Sequence, residues 1–221
     1  MTHRPLRIAH RGASREFREN TMAAFTRALA LGADGIELDV HVTSDGMVVV
    51  HHDPHVEVGG SSMAIADAPA EVVARGGDDA TRIPRLDEVL DLVGDRAELF
   101  VEIKGAAIED AVLRCLEGHT GRFAVHSFDH DAIERVALRA PHVRRGLLFD
   151  EPPVALAAHI VRAGAHDVWP RVDLATAPFI GEAHALGARV IAWTVNDPAV
   201  GAQLTARGVD GLCTDDVRWF G

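Results

Sequence analysis

Lysine is almost absent from this 221-residue chain: arginine supplies 21 of its 22 basic residues, and Lys104 is the sole exception. Where arginine serves as the general surface cation, a retained lysine suggests a task for a compact ammonium that a planar guanidinium cannot perform. Cysteine is nearly as scarce. Cys115 and Cys213 alone cannot build a disulfide framework or a cysteine-rich zinc site, and they read as two reduced thiols. No apolar run approaches the roughly 18 residues of a membrane-crossing helix. The opening Met1-Thr2-His3-Arg4-Pro5-Leu6-Arg7 lacks the apolar core of a secretion signal, so the expected location is the cytoplasm. Positive charge is in deficit as well, with 22 basic against 33 acidic residues and a formal net charge of −11. That field disfavours nucleic acid and stable membrane association, and an anionic substrate would need capture by local cations or a bound metal.

What is present is a globular composition, 48% hydrophobic and 25% charged, at a length that suits one domain spanning residues 1–221. Strand-like runs at 6–10, 35–40, 47–51, 99–103, 123–126, 146–149, 167–169, 189–195 and 209–213 alternate with helical periodicity at 20–31, 86–93, 107–116, 130–138, 153–162, 174–186 and 198–206. Asn20 and either Asp129 or Asp131 are the expected N-caps. This alternation predicts a parallel sheet with helical crossovers. No Gly-rich dinucleotide fingerprint follows the first strand, which argues against an open doubly wound sheet. The turn Ser44-Asp45-Gly46 makes 47–51 a hairpin partner of the second strand. Eight parallel strands remain, and the expected fold is an α/β (β/α)8 TIM-type barrel with an extra hairpin strand. Residues 54–81, rich in Gly, Ser and Pro, break the rhythm and read as a short insertion on the catalytic face.

Chemistry concentrates at strand ends. Side chains alternate along a strand, so Glu37 and Asp39 share one face while Ile36, Leu38 and Val40 share the other. Two buried carboxylates side by side call for protons, arginine partners or a hard cation such as Mg²⁺, Ca²⁺ or Mn²⁺. Glu102 and Lys104 repeat the device on the strand 99–103, either as an ion pair or as a third ligand with a neighbouring cation. His10-Arg11-Gly12 ends the first strand, and His51-His52-Asp53-Pro54 ends the hairpin strand. In such barrels catalytic groups come from the carboxyl ends of strands. Histidines beside a divalent cation can act as general base and acid, and Arg11 offers a fork for phosphate oxygens. Asn20 is the expected helix cap, with a hydrogen bond from Glu19 or Asn20 to the metal site as the alternative.

Taken together, His10-Arg11-Gly12-Ala13, Glu19-Asn20-Thr21, Gly35-Ile36-Glu37-Leu38-Asp39-Val40, Thr43-Ser44-Asp45-Gly46, His51-His52-Asp53, Val101-Glu102-Ile103-Lys104, Ala192-Trp193-Thr194 and Cys213-Thr214-Asp215 resemble the glycerophosphodiester phosphodiesterase family, in order and over nearly the whole chain. Arg18 departs from the pattern, standing where a proline usually precedes Glu-Asn-Thr. The resemblance implies His10 and His52 as the acid–base pair and Glu37, Asp39 and Glu102 as ligands to one divalent cation, Mg²⁺ or Ca²⁺, with Mn²⁺ also admitted. It further implies that Arg11 and Lys104 hold the phosphate and that Trp193 lines the glycerol side. The expected reaction is hydrolysis of a small glycerophosphodiester to glycerol 3-phosphate and an alcohol, with a cyclic phosphate on the favoured route. A lysophospholipase D-like or sphingomyelinase D-like phosphodiesterase and a non-catalytic phosphodiester-binding barrel are the rival readings. Oligomeric state is left open.

Overall fold

The computed structural model describes residues 4–77 and 81–220; residues 78–80 of the expected insertion lie outside it. Strands β1 (Leu6–His10), β2 (Gly35–Val42) and β3 (Val48–Val50) come first, with α1 (Met22–Ala30) between β1 and β2. A hairpin of β4 (His55–Val58) and β5 (Ser61–Ala64) and a single turn of helix, α2 (Ala70–Val73), follow. The remainder alternates regularly: α3 (Leu86–Val93), β6 (Glu98–Ile103), α4 (Glu109–Leu116), β7 (Phe123–Ser127), α5 (His130–Arg139) and β8 (Arg144–Phe149). It ends with α6 (Leu156–Ala163), β9 (Asp167–Pro170), α7 (Ala177–Ala185), β10 (Arg189–Ala192), α8 (Pro198–Arg207) and β11 (Gly211–Thr214).

Eight parallel strands close on themselves. The sheet runs β1-β11-β10-β9-β8-β7-β6-β2, and β1 pairs with β2 to complete the ring. The ninth strand, β3, runs antiparallel against Val40–Val42 at the carboxyl end of β2. This is the (β/α)8 barrel with an extra hairpin strand that the alternation predicts. Outward-facing Ile36, Leu38, Val101 and Ile103 pack beneath the helices in the larger core, while Ile8, Phe100, Ala124, Leu148, Trp169, Ile191 and Cys213 fill the barrel's interior. Gly35 is what makes room for one of these: a Cβ there would stand 2.7 Å from the Phe100 ring. Below this layer, Arg189 bridges Glu98 and Asp167 at 2.8 and 2.7 Å, and Arg144 joins Asp167 at 2.6 Å.

Two expectations need correction. Asn20 is not the N-cap of α1; Thr21 is, its hydroxyl accepting from the Ala24 N–H at 3.3 Å. Asn20 instead sits in the left-handed region at φ 56°, which asparagine tolerates better than most residues, and its side chain turns inward. Residues 54–81 contain a hairpin that composition did not reveal. Gly59 and Gly60, both at positive φ, form its turn, and Val56, Ile65, Ala68, Val73 and Ile83 bury a small core of their own against Val49. Asp129 caps α5 as expected. Among the described residues no helix is long and apolar enough to cross a membrane.

Candidate active site

Strand register assembles the site. His10 lies beside Glu37 across β1 and β2, Asp39 beside Glu102 across β2 and β6, and Glu102 beside His126 across β6 and β7. All of these positions are at or near carboxyl ends, and they face the barrel's mouth. A solvent-open cavity occupies that mouth. His10, Arg11, Glu37, His52, Glu102, Lys104 and Trp193 all line it. Thus seven of the eight residues expected from the sequence converge there. Asp39, fully buried, stands beneath it.

Each histidine carries a carboxylate on the same ring atom. His10 Nδ1 is 2.7 Å from Asp215 Oδ1, and His52 Nδ1 is 2.8 Å from Asp53 Oδ1. A carboxylate at Nδ1 fixes that nitrogen as the N–H donor and leaves Nε2 to exchange protons. Burial by itself would lower the His10 pKa; the hydrogen bond to Asp215 and the charge of Glu37 outweigh it and Arg11, raising the pKa above the ordinary imidazole value. His51, one residue before His52, does not line the cavity.

The cations are fixed by carboxylates. Arg11, itself at φ 57°, donates from Nη1 to Glu19 at 2.9 Å, pairs through Nε with Asp39 at 3.1 Å, and donates its backbone N–H to Glu37 Oε2 at 3.2 Å. Lys104 Nζ lies 2.8 Å from Glu102 and 3.3 Å from Asp39. Asn20 completes the setting of Asp39 by donating from Nδ2 at 2.8 Å. Burial works against ionising Asp39, yet Arg11, Lys104 and Asn20 together hold its carboxyl below the usual range. Glu102 is different. Burial first, then the nearby charges of Asp39 and Glu37, outweigh Lys104 and push it up to about 8.

The donor set most suited to a metal is Glu37, Glu102 and His126, whose ligand atoms lie within 4.8 Å of one another. The donors fit a divalent cation: buried, carboxylate-rich, and with the ring nitrogens of His126 unpartnered among the described residues. Asp39 flanks this cluster: its Oδ2 takes Asn20 and Arg11, while its Oδ1, without a hydrogen-bond partner among the described residues, lies 3.3 Å from Lys104 Nζ. Sequence reasoning missed His126 and Asp215. His126 stands one residue before the end of β7, and only the register that sets it beside Glu102 marks it out. Asp215 stands in a motif of the resemblance, but nothing local ties it to a histidine 205 positions away. On the cavity's apolar wall Phe128 meets Trp193 edge to face with centroids 5.4 Å apart, and Trp193 Nε1 donates to the Trp169 carbonyl at 2.8 Å.

The glycerophosphoryl diester phosphodiesterase family model matches residues 10–218. A glycerophosphodiester phosphodiesterase of Caldanaerobacter subterraneus is 34% identical, covering 95% of this chain and 93% of its own. A solved glycerophosphodiester phosphodiesterase of Thermotoga maritima, 28% identical, superposes over 100% of this chain and 98% of its own with a TM-score of 0.86. A phosphodiesterase of Oleispira antarctica, solved with its product sn-glycerol-3-phosphate, shares the fold at 23% identity, with a TM-score of 0.89 over 98% of this chain and 95% of its own. The cavity and the strand ends that build it therefore sit on a barrel whose sequence is matched almost from end to end, and the chain belongs to the glycerophosphoryl diester phosphodiesterase family.

Proposed function

We propose that this protein hydrolyses a small glycerophosphodiester to glycerol 3-phosphate and an alcohol, using His10 and His52 as proton carriers and one divalent cation. The observation that carries the reading is that both histidines, each bound to a carboxylate through Nδ1, border one cavity with Arg11, Lys104 and two buried glutamates. The family membership supports the substrate class. When bound, a divalent cation polarises phosphoryl oxygens and offsets charge gathering there. Glu37, Asp39 and Glu102 would hold it, with Asp39 Oδ2 also anchoring Arg11.

The chain's own groups then divide the work. Arg11 and Lys104, immobilised by Asp39, Glu19 and Glu102, present fixed positive charge to the phosphate. One histidine removes the proton from the glycerol hydroxyl next to the ester; that oxygen attacks phosphorus, and the P–O bond to the alcohol breaks as the other histidine protonates the departing oxygen. Water then opens the five-membered cyclic phosphate with the two histidines exchanging duties. Intramolecular attack of this kind gains up to roughly 7–11 kcal/mol from proximity. Trp193 and Phe128 form the apolar side of the cavity.

The test is release of glycerol 3-phosphate from a panel of glycerophosphodiesters, with and without chelator. Turnover is expected to stop on chelation, and His10→Ala or His52→Ala is expected to lower kcat by about 10²–10⁴-fold. Full activity after exhaustive chelation would remove the cation from this account. Rapid hydrolysis of a substrate lacking the neighbouring hydroxyl would replace the cyclic route with direct attack by water.

A further inference from the structure

The buried cluster at the barrel's mouth contains an imidazole, and an imidazole changes which cations the cluster suits. His126 is 1% exposed, and neither of its ring nitrogens has a hydrogen-bond partner among the described residues. Buried polar groups almost always find partners, and leaving one without is costly. The ring's neighbours explain why none is found. Phe100 stacks on it at 6.5 Å and Trp169 meets it edge to face at 4.4 Å, so two of its flanks are aromatic. On the cavity side its Nε2 is 3.7 Å from Glu37 Oε1, too far for a hydrogen bond but a natural spacing for two ligands of one ion. Asp39, which the family resemblance makes a ligand, has Asn20 and Arg11 on Oδ2 at 2.8 and 3.1 Å, and its Oδ1, buried without a hydrogen-bond partner among the described residues, lies 3.3 Å from Lys104 Nζ, so His126 adds a nitrogen to a site already rich in oxygen.

We propose that His126 supplies a nitrogen ligand to the cation, making a mixed nitrogen–oxygen centre with Glu37 and Glu102 that favours Mn²⁺, Co²⁺ or Zn²⁺ over Mg²⁺ and Ca²⁺. This rests on the reading that the cluster holds the cation of the proposed hydrolysis. Mg²⁺ and Ca²⁺ are hard ions that take oxygen ligands almost exclusively and gain little from imidazole. First-row transition ions gain from it increasingly along the series that starts at Mn²⁺.

Two measurements test it on the whole protein without substrate. Pulsed EPR of the Mn²⁺-loaded protein is expected to show ¹⁴N coupling from an imidazole, lost in His126→Gln. Affinities for the four ions Mn²⁺, Co²⁺, Mg²⁺ and Ca²⁺ can be read from tryptophan fluorescence, since the Trp169 indole meets the His126 ring. His126→Gln and His126→Asn, each checked for native circular dichroism, are expected to weaken Mn²⁺ and Co²⁺ by at least the ~10–100-fold that loss of a metal site's supporting group costs. Mg²⁺ and Ca²⁺ should change little. Absence of nitrogen coupling, or an equal loss for all four ions, overturns the assignment of His126. Glu102→Gln separates this from the broader reading: it should weaken every ion. A wild-type protein that binds Mn²⁺ through Glu102 without nitrogen coupling keeps its cation and loses only this inference, whereas one that binds none of the four loses both.

Discussion

At the scale of single residues, the site works by pairing each mobile charge with a fixed one. Asp215 is the clearest case. It receives hydrogen bonds from His10, from Asn196 Nδ2 at 2.6 Å and from Ser14 at 3.3 Å, so its own rotamer is locked before it orients the imidazole. Asp215→Asn is expected to lower kcat by about 10²-fold or more with little change in KM, because the amide can present its N–H to Nδ1 and stabilise the wrong tautomer. Steady-state kinetics with a pH–rate profile distinguishes this from a structural loss, which would show in the circular dichroism. Lys104→Arg keeps the charge yet is expected to lose activity, since the ammonium must sit between Glu102 and Asp39 and a guanidinium is larger and planar; an equally active variant would return the solitary lysine to chance. His51→Ala should cost far less than His52→Ala in the same assay. Asn20 shows what a sequence hides at this scale: an Asn before a helix reads as a cap, but Thr21 holds the cap and Asn20 serves Asp39.

At the scale of elements, alternation did most of the legible work. Because β2 and β6 are buried on both faces, the charged positions Glu37, Asp39 and Glu102 stand out against apolar neighbours, and their common direction follows from a period of two. The boundaries of β1 and α3 were readable for the same reason. What was not readable depended on register or on other elements. The hairpin of β4 and β5 has only four residues per strand, too short for alternation to stand out, and the β7 residue His126 acquires meaning only when Glu102 is its neighbour. Packing between elements also sets how much change β2 accepts. A methyl at Gly35 would press on Phe100 at 2.7 Å and on the Glu98 carbonyl at 3.2 Å. Gly35→Ala is therefore expected to destabilise the fold by about 1–3 kcal/mol, read from urea unfolding.

At the scale of the whole molecule, the two ends of the barrel carry different chemistry. The mouth gathers carboxylates and histidines, while the floor is a closed ionic network of Glu98, Asp167, Arg144 and Arg189. Removing Arg189 leaves buried Glu98 without its cation, so Arg189→Met is expected to cost on the order of 3 kcal/mol, measured by denaturant unfolding with the catalytic constants of the folded fraction retained. Stability should also fall in acid through Asp34. Burial opposes its ionisation, but hydrogen bonds from the Arg7 side chain and backbone and from Arg4 hold its carboxyl below the usual range. A depressed native pKa gives stability that is full above the unfolded value of about 4 and is lost as pH falls below it; Asp34→Asn should flatten that part of the stability–pH curve.

The bond between His10 and Asp215 joins the exit of β1 to the chain just beyond β11, across 205 positions of sequence. A chain emerging from the ribosome has its first histidine, its glutamates and its lysine in hand long before Asp215 is made. The histidine cannot take its Nδ1 partner until the last strand docks against the first. On the proposed role of His10, competence is tied to topological completion: a stalled or clipped polypeptide that stops short of β11 lacks the carboxylate that aims the imidazole and is expected to be inactive, however well its other staves are set.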